Sequence, residues 1–177
     1  MGQQRLRRGR RRHRDGQPPG AALSSPKAKT PHRARRLARE RALQFLYGIA
    51  FTEDAWEPAL DAFWDSFPAR DAVRAYAESL VEGIHTHVDA IDEAITGAIE
   101  HWTPGRVGQV EWAILRVAVY EMRYPADVPA GVAINEAIEL AKKYGADDAP
   151  RFINGVLDRI KKAGLLISPE TDVEAGI

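Results

Sequence analysis

One stretch, residues 108–124, limits the fold most because it is apolar almost all the way round a helix. It reads GQVEWAILRVAVYEMRY, and Arg116 is the only charge between Trp112 and Tyr120. A helix of this kind must be buried on most of its sides, and one neighbouring helix cannot cover it. The sequence therefore predicts an all-α helical bundle. We interpret Arg116 as a paired arginine at the edge of the core rather than as a ligand contact.

Amphipathic segments flank this stretch and supply the helices that cover it. Across residues 70–102 the apolar periodicity shifts near His85–Val88, which favours two helices over one. Thr103, Pro104 and Gly105 predict a turn. About seven helices are expected in chain order: one from Arg33, 54–67, two within 70–102, 108–124, 132–144 ended by Gly145, and one capped by Asp147 and Asp148.

The net charge of zero hides a strong division of charge along the chain. Residues 1–41 contain 14 Lys and Arg against 2 Asp and Glu, so they carry +12, and the remaining residues carry −12. A basic arm on an acidic body predicts two surfaces with different partners, a polyanion for the arm and a basic protein for the body. Improved solubility is the alternative explanation for the acidic body.

Composition divides the chain into three parts. Residues 1–31 are rich in Arg, Pro and Gly and predict a disordered tail, 32–164 a folded helical domain, and 165–177 an acidic, flexible C-terminus. The tail can hold phosphates without sequence preference, or it can be a solubilising segment or an overlong choice of start codon. The absence of cysteine and of any apolar run of about 18 residues predicts a cytoplasmic protein without a membrane span.

The segment RARRLARERALQFLYGIAF combines an apolar helical face with five arginines. The apolar face consists of Ala38, Ala42, Phe45, Leu46 and Ile49, and the arginines are Arg33, Arg35, Arg36, Arg39 and Arg41. Positive charge near a helix N-terminus opposes the macrodipole, so helix stability gives no reason for the cluster. We interpret it as a binding surface, with a merely solvated basic face as the alternative. Arg36 and Arg39 are expected to be exposed and not needed for packing.

Catalytic and metal-binding patterns are weak in this sequence. It has no GxxxxGK[ST], GxSxG or HExxH motif, and no GxGxxG after a strand. His85, His87, Asp89 and Asp92 form the best metal candidate, but His87 points away from the i,i+4 pair of His85 and Asp89. We favour a solvated helix surface there and expect no catalytic residue, metal or cofactor. A module whose arginines bind only an acidic protein patch is a second functional class.

Three stretches resemble a known family. GQVEWAILRVAVYEM and VPAGVAINEAIELAKKYGADDAPRFINGVLDRI closely resemble the C-terminal half of the NusB family of bacterial transcription antitermination factors. RARRLARERALQFLY is similar to the N-terminal arginine-rich helix of that family. The resemblance spans residues 33–162, whereas residues 1–31 have no counterpart in the usual short form. Leu37 and Arg41 depart from the pattern, since other members often carry an arginine and a small residue there.

The resemblance implies an all-α fold of two small helical subdomains and a non-enzymatic role. That role is binding the boxA element of ribosomal RNA leader transcripts together with NusE, a small-subunit ribosomal protein, in an elongation complex with other Nus factors. A homodimer is a further candidate assembly. The RNA contacts that carry over lie on the arginine-rich helix and near the start of the last helix: Arg35, Arg36, Arg39, Gln44, Tyr47, Asp148 and Phe152.

Overall fold

A computed structural model describes residues 30–99 and 107–164, and within these ranges the protein forms seven α-helices. They are α1 (Thr30–Ile49), α2 (Trp56–Ser66), α3 (Asp71–Thr86), α4 (Val88–Ile99), α5 (Gln109–Arg123), α6 (Ala130–Tyr144) and α7 (Ala149–Lys162). The predicted all-α bundle of about seven helices is confirmed. None of the helices in the described ranges has the length and apolar character needed to cross a membrane.

Helix α5 lies at the centre of the bundle, as its sequence predicts. Ile114 and Leu115 have no exposed surface and Val119 is 1% exposed, because α5 packs against α1, α3, α4, α6 and α7. Burying side chains of this size contributes about 1.5–3 kcal/mol each. Around α5, α1 packs against α2 and α3, and α7 packs against α4 and α6.

The predicted interruption between α3 and α4 occurs at His87. His87 is the C-cap of α3, with φ −115° and ψ 20°, and its ring stacks on Tyr124 with 3.9 Å between the ring centroids. The two-helix interpretation of this segment is therefore confirmed. The predicted turn at 103–105 and the predicted tail and acidic C-terminus, apart from the first residues of α1, lie outside the described residues. Helix α1 begins at Thr30, two residues before the expected start of the folded domain.

One side chain that was expected to be buried is exposed, and one helix end differs from the usual pattern. The spacing of Leu60, Phe63, Trp64 and Phe67 predicts that these side chains face inward, but Phe67 is 43% exposed, because it lies at the C-cap of α2 with φ −127°. Its ring stacks on Phe63 with 4.8 Å between centroids. Gly145 ends α6 as predicted, but with φ −87° rather than in the left-handed conformation typical of such glycines. Lack of space explains this glycine, since an added Cβ would lie 2.6 Å from the Cβ of Ala149.

Candidate nucleic-acid interface

The arginine-rich helix α1 lies beside α6, and the two helices run in the same direction. Its apolar residues Ala38, Ala42, Phe45 and Leu46 are buried, as predicted. The residue numbers of the contacting pairs increase together along the two helices: Arg36 contacts Glu139, Glu40 contacts Lys143, and Gln44 contacts Tyr144. We call the charged residues along this line the α1–α6 charge seam; they are His32, Arg36 and Glu40 of α1 and Glu136, Glu139 and Lys143 of α6.

Arg39 is buried, so the expectation that it is exposed was wrong. The residue is 2% exposed, and its Nε donates to both carboxylate oxygens of Glu121 on α5, at 2.9 and 2.8 Å. Its Nη1 lies 3.6 Å from Glu136 on α6. Burial lowers the pKa of Arg39, but the hydrogen bonds and charge of Glu121 outweigh this and leave the pKa raised. Arg39 therefore joins three helices through their interior.

Tyr76 of α3 completes the environment of the Glu121 carboxylate. Its hydroxyl donates to the same carboxylate that binds Arg39. Burial, and then the hydrogen bond to Glu121, raise the pKa of Tyr76 above its ordinary value. A buried charge is tolerated only when paired and hydrogen-bonded, and Glu121, which is 1% exposed, meets both conditions through residues of α1 and α3.

Arg35 and Arg36 also bind carboxylates, but at the surface. Arg35 forms an ion pair with Asp127 in the loop between α5 and α6, and its guanidinium lies 4.9 Å from the centroid of the Tyr76 ring. Arg36 Nη2 donates to Glu139 at 3.1 Å, and half of its side-chain surface is exposed. These carboxylates offset the positive charge near the α1 N-terminus. The premise that stability gives no reason for the cluster was therefore wrong.

Farther along α1, three polar side chains extend the surface toward the end of α6. Gln44 accepts a hydrogen bond from Arg41 Nη1 at 2.7 Å and donates one to the Tyr144 hydroxyl at 3.4 Å. Tyr47 is 42% exposed, and its ring meets that of Phe51 edge to face with 5.1 Å between centroids. An exposed tyrosine face on a basic helix is a surface on which a nucleobase can stack.

Asp148 and Phe152 lie at the start of α7. The loop that leads to them is held by Glu111 of α5, whose carboxylate accepts from the backbone N–H of Ala146 at 3.2 Å. Asp148 occupies the N-cap position and is exposed, but its side chain makes no capping hydrogen bond, so the expectation that it caps α7 was wrong. Phe152 is half-buried against the core.

The predicted site residues therefore fall into an exposed group and a buried one. Arg35, Arg36, Gln44 and Tyr47 reach the surface at successive positions along α1, and the Gln44–Tyr144 contact links α1 to the end of α6, four residues before Asp148. Arg39 belongs to the interior. Sequence reasoning missed the acidic partners, although Glu121, a carboxylate on the mostly apolar central helix, indicates that a cation from another helix pairs with it.

Two other sequence interpretations can be placed in the structure. Arg116 donates to both carboxylate oxygens of Asp92, at 2.8 and 2.6 Å, which confirms it as a paired arginine at the edge of the core. His85 packs on Trp56, with 4.9 Å between ring centroids. Within the described ranges, no group of three or more His, Asp or Glu side chains has the arrangement of a metal site.

Comparison with known proteins identifies a family whose model matches the chain, a relative of similar sequence and solved structures of similar fold. The model of the NusB family matches residues 36–162. The transcription antitermination protein NusB of Geobacter sulfurreducens is 48% identical over 128 residues, covering 72% of this chain and 93% of its own. The structure of T. maritima NusB superposes with a TM-score of 0.64 at 33% identity, covering 72% of this chain and 90% of its own.

A second similar structure contains partners. It is the crystal structure of antitermination factors NusB and NusE in complex with dsRNA. The matching chain of that complex superposes with a TM-score of 0.66 at 29% sequence identity. The alignment covers 74% of this chain and 98% of the matching one.

Proposed function

The chain belongs to the NusB family of transcription antitermination proteins, and from this premise we propose that it binds boxA-type RNA of ribosomal RNA leader transcripts together with the ribosomal protein NusE. It then supports transcription of ribosomal RNA as part of an elongation complex with other Nus factors. The role includes no chemical step and belongs to the cytoplasm, where the transcript is made. A complex of NusB and NusE with dsRNA has been determined for a structurally similar protein, which supports the proposal.

The polar side chains of α1 that reach the surface carry the proposal for RNA. Arg35 and Arg36 present guanidinium groups at the surface, and arginine binds phosphate with directed, charge-assisted hydrogen bonds. Gln44 and Tyr47 lie farther along α1 and add a hydrogen-bonding amide and an exposed ring. We assign these four residues to RNA contact, together with Asp148 and Phe152 at the start of α7. We assign Arg39 to positioning α1, because its guanidinium is buried on Glu121.

The charge of the remaining chain supports NusE as the protein partner. Residues 42–177 carry a net charge of −12, which favours association with a basic ribosomal protein. If the two proteins form a composite RNA site, the effect must be reciprocal: NusE tightens RNA binding by the same factor by which RNA tightens NusE binding. The alternative is a protein-interaction module whose basic arm binds nucleic acid without preference.

Fluorescence anisotropy with a boxA RNA and a scrambled RNA of equal length, each with and without NusE, tests the function. We expect the boxA RNA to bind more tightly, and NusE to increase its affinity by about 5–150-fold. Arg36→Gln should weaken binding and flatten the salt dependence by about 0.7 in log–log slope, the value for one lost phosphate contact on a single strand. The matched control is Arg74→Gln, since Arg74 forms an exposed pair with Glu78 on α3.

Two outcomes contradict the proposal. Equal affinity for boxA and scrambled RNA at saturating NusE would favour the nonspecific module. Failure of NusE to bind the full-length chain at all would remove the composite site.

A further inference from the structure

We propose that Asp127 and Glu139 determine the RNA specificity of this interface, because they hold the guanidinium groups of Arg35 and Arg36 in fixed orientations. The inference rests on the proposed RNA-binding function and assigns a role to two acidic residues that do not belong to the basic surface itself. The supporting observations are the carboxylate partner of each arginine, the atoms that form each pair and the exposed fraction of each side chain.

Both ion pairs are exposed enough to meet RNA and to exchange partners. The side chains of Arg35 and Asp127 are 38% and 60% exposed, and those of Arg36 and Glu139 are 50% and 43% exposed. A crevice of about 180 Å³ lies between α1 and α6 beside the second pair, with Arg36, Glu139 and Lys143 among its lining residues. An RNA strand can therefore reach these arginines without unfolding either helix.

Among the residues that the structure describes, each arginine has N–H groups without a hydrogen-bond partner while it is paired. A guanidinium has five N–H donors in a rigid plane, and Arg36 uses Nη2 on Glu139, with Nε 3.9 Å from Glu136. Arg35 likewise uses Nη2 on Asp127 while its Cζ lies 4.9 Å from the centroid of the Tyr76 ring. The carboxylates thus fix the direction of each guanidinium and leave its other N–H groups for a ligand of matching shape.

This arrangement affects two classes of RNA differently. Nonspecific binding depends on phosphate contacts in any orientation, and an arginine that leaves its carboxylate for a phosphate only exchanges one anion for another. A specific RNA meets the arginines in the orientation they already have, so it keeps the ion pairs and loses less side-chain freedom on binding. The carboxylates therefore lower the affinity for unrelated RNA more than the affinity for boxA RNA.

Anisotropy titrations of Glu139→Gln and Asp127→Asn with scrambled and boxA RNA test the inference. We expect each variant to bind scrambled RNA about two- to fivefold more tightly, the range that corresponds to an exposed ion pair. The affinity for boxA RNA should be unchanged or lower, so the ratio of the two affinities should fall. The matched control is Glu78→Gln, which removes the same charge from the exposed Arg74–Glu78 pair, where Nε and Oε1 are 2.7 Å apart.

A double-mutant cycle identifies the residue through which Glu139 acts. Glu139 also accepts from Lys142 at 2.7 Å, so its replacement frees two cations. If the effect passes through Arg36, Glu139→Gln should leave scrambled-RNA affinity unchanged in an Arg36→Gln background. An equal gain in that background, or a similar gain in Glu78→Gln, would overturn the inference, because general charge repulsion would then explain the effect.

The experiment separates failure of this inference from failure of the function. A wild-type protein that shows no preference for boxA RNA would reject the proposed function and, with it, any role of these residues in specificity. A wild-type protein that prefers boxA RNA, combined with variants that keep the same preference, would reject only the inference. Circular dichroism melting of each variant checks that the fold is retained.

Discussion

Arg36 and Arg39 lie three residues apart on the same helix, and yet they bind carboxylates in opposite environments. The Arg39 and Glu121 side chains are 3% and 1% exposed, whereas those of Arg36 and Glu139 are 50% and 43% exposed. Coulomb attraction is several times stronger in the interior than at the surface, but burying both charges costs several kcal/mol per ion. The inner pair therefore has to stay closed, whereas the outer pair can exchange its partner.

This difference shows that the arginine-rich segment is not one functional unit. Three residues correspond to about 300° around a helix, so Arg36 and Arg39 point about 60° apart. That angle directs Arg39 into the interior, onto Glu121 of α5 beside Tyr76 of α3, and directs Arg36 to the surface, onto Glu139 of α6. The same residue type therefore fixes the helix at one position and offers charge to a ligand at the other.

The largest change in the free energy of unfolding is expected when the buried Arg39–Glu121 pair is lost. Arg39→Ala should lower the free energy of unfolding by about 3–5 kcal/mol, because it leaves the Glu121 carboxylate buried without its cation. Urea denaturation followed by circular dichroism measures the change. Arg36→Ala, the control on the same helix, should cost no more than about 1 kcal/mol. Equal and small effects of the two substitutions would break the distinction between inner and outer arginines.

A smaller effect is expected for the third member of the inner group. Tyr76→Phe removes the hydroxyl that donates to Glu121 and keeps the ring that lies under Arg35. The carboxylate then lacks one donor in a buried site, so the free energy of unfolding should fall by about 1–3 kcal/mol. Tyr47→Phe, which changes an exposed tyrosine of α1, is the control for loss of a hydroxyl. An unchanged midpoint for Tyr76→Phe would mean that Arg39 alone satisfies Glu121.

The smallest expected effect is a pH-dependent contribution to stability from a second surface ion pair, the one between Arg35 and Asp127. The hydrogen bond from Arg35 holds the pKa of Asp127 below its ordinary value of 3.8. Because the folded-state pKa is lowered, the pair stabilises the protein above pH 3.8, and this contribution is lost as the pH falls through the lower folded-state pKa. Arg35→Ala should return the pKa of Asp127 toward 3.8, as measured by NMR titration of the carboxyl. An identical titration curve in wild type and variant would show that the pair does not persist in solution.

Much of the fold could be predicted because apolar spacing reports directly on burial. The central helix, the buried face of α1 at Ala38, Ala42, Phe45 and Leu46, and the interruption at His87 all followed from periodicity. Phe67 escaped this reasoning because it lies where α2 ends, and helical periodicity no longer applies beyond the last turn.

The candidate site was less predictable because its side-chain contacts join residues that lie far apart in the sequence. Arg39 meets Glu121, 82 residues away, and Arg36 meets Glu139, 103 residues away. Spacing within α1 places Arg39 beside the buried Ala38, but it does not show whether a carboxylate from another helix lies close enough to pair with Arg39. The charge of Glu121 within the apolar central helix was the one signal in the sequence that could have identified a buried cation.

The α1–α6 charge seam has a consequence for how the two helices find their alignment. Arg36 faces Glu139 and Glu40 faces Lys143, so opposite charges meet at both levels. If α1 slid one turn along α6 in one direction, Arg36 would come next to Lys143; one turn in the other direction, Glu40 would come next to Glu139. Both slipped pairings bring like charges together, which disfavours them. The order of charges thus favours the observed alignment of α1 and α6, two segments that lie about a hundred residues apart in the sequence.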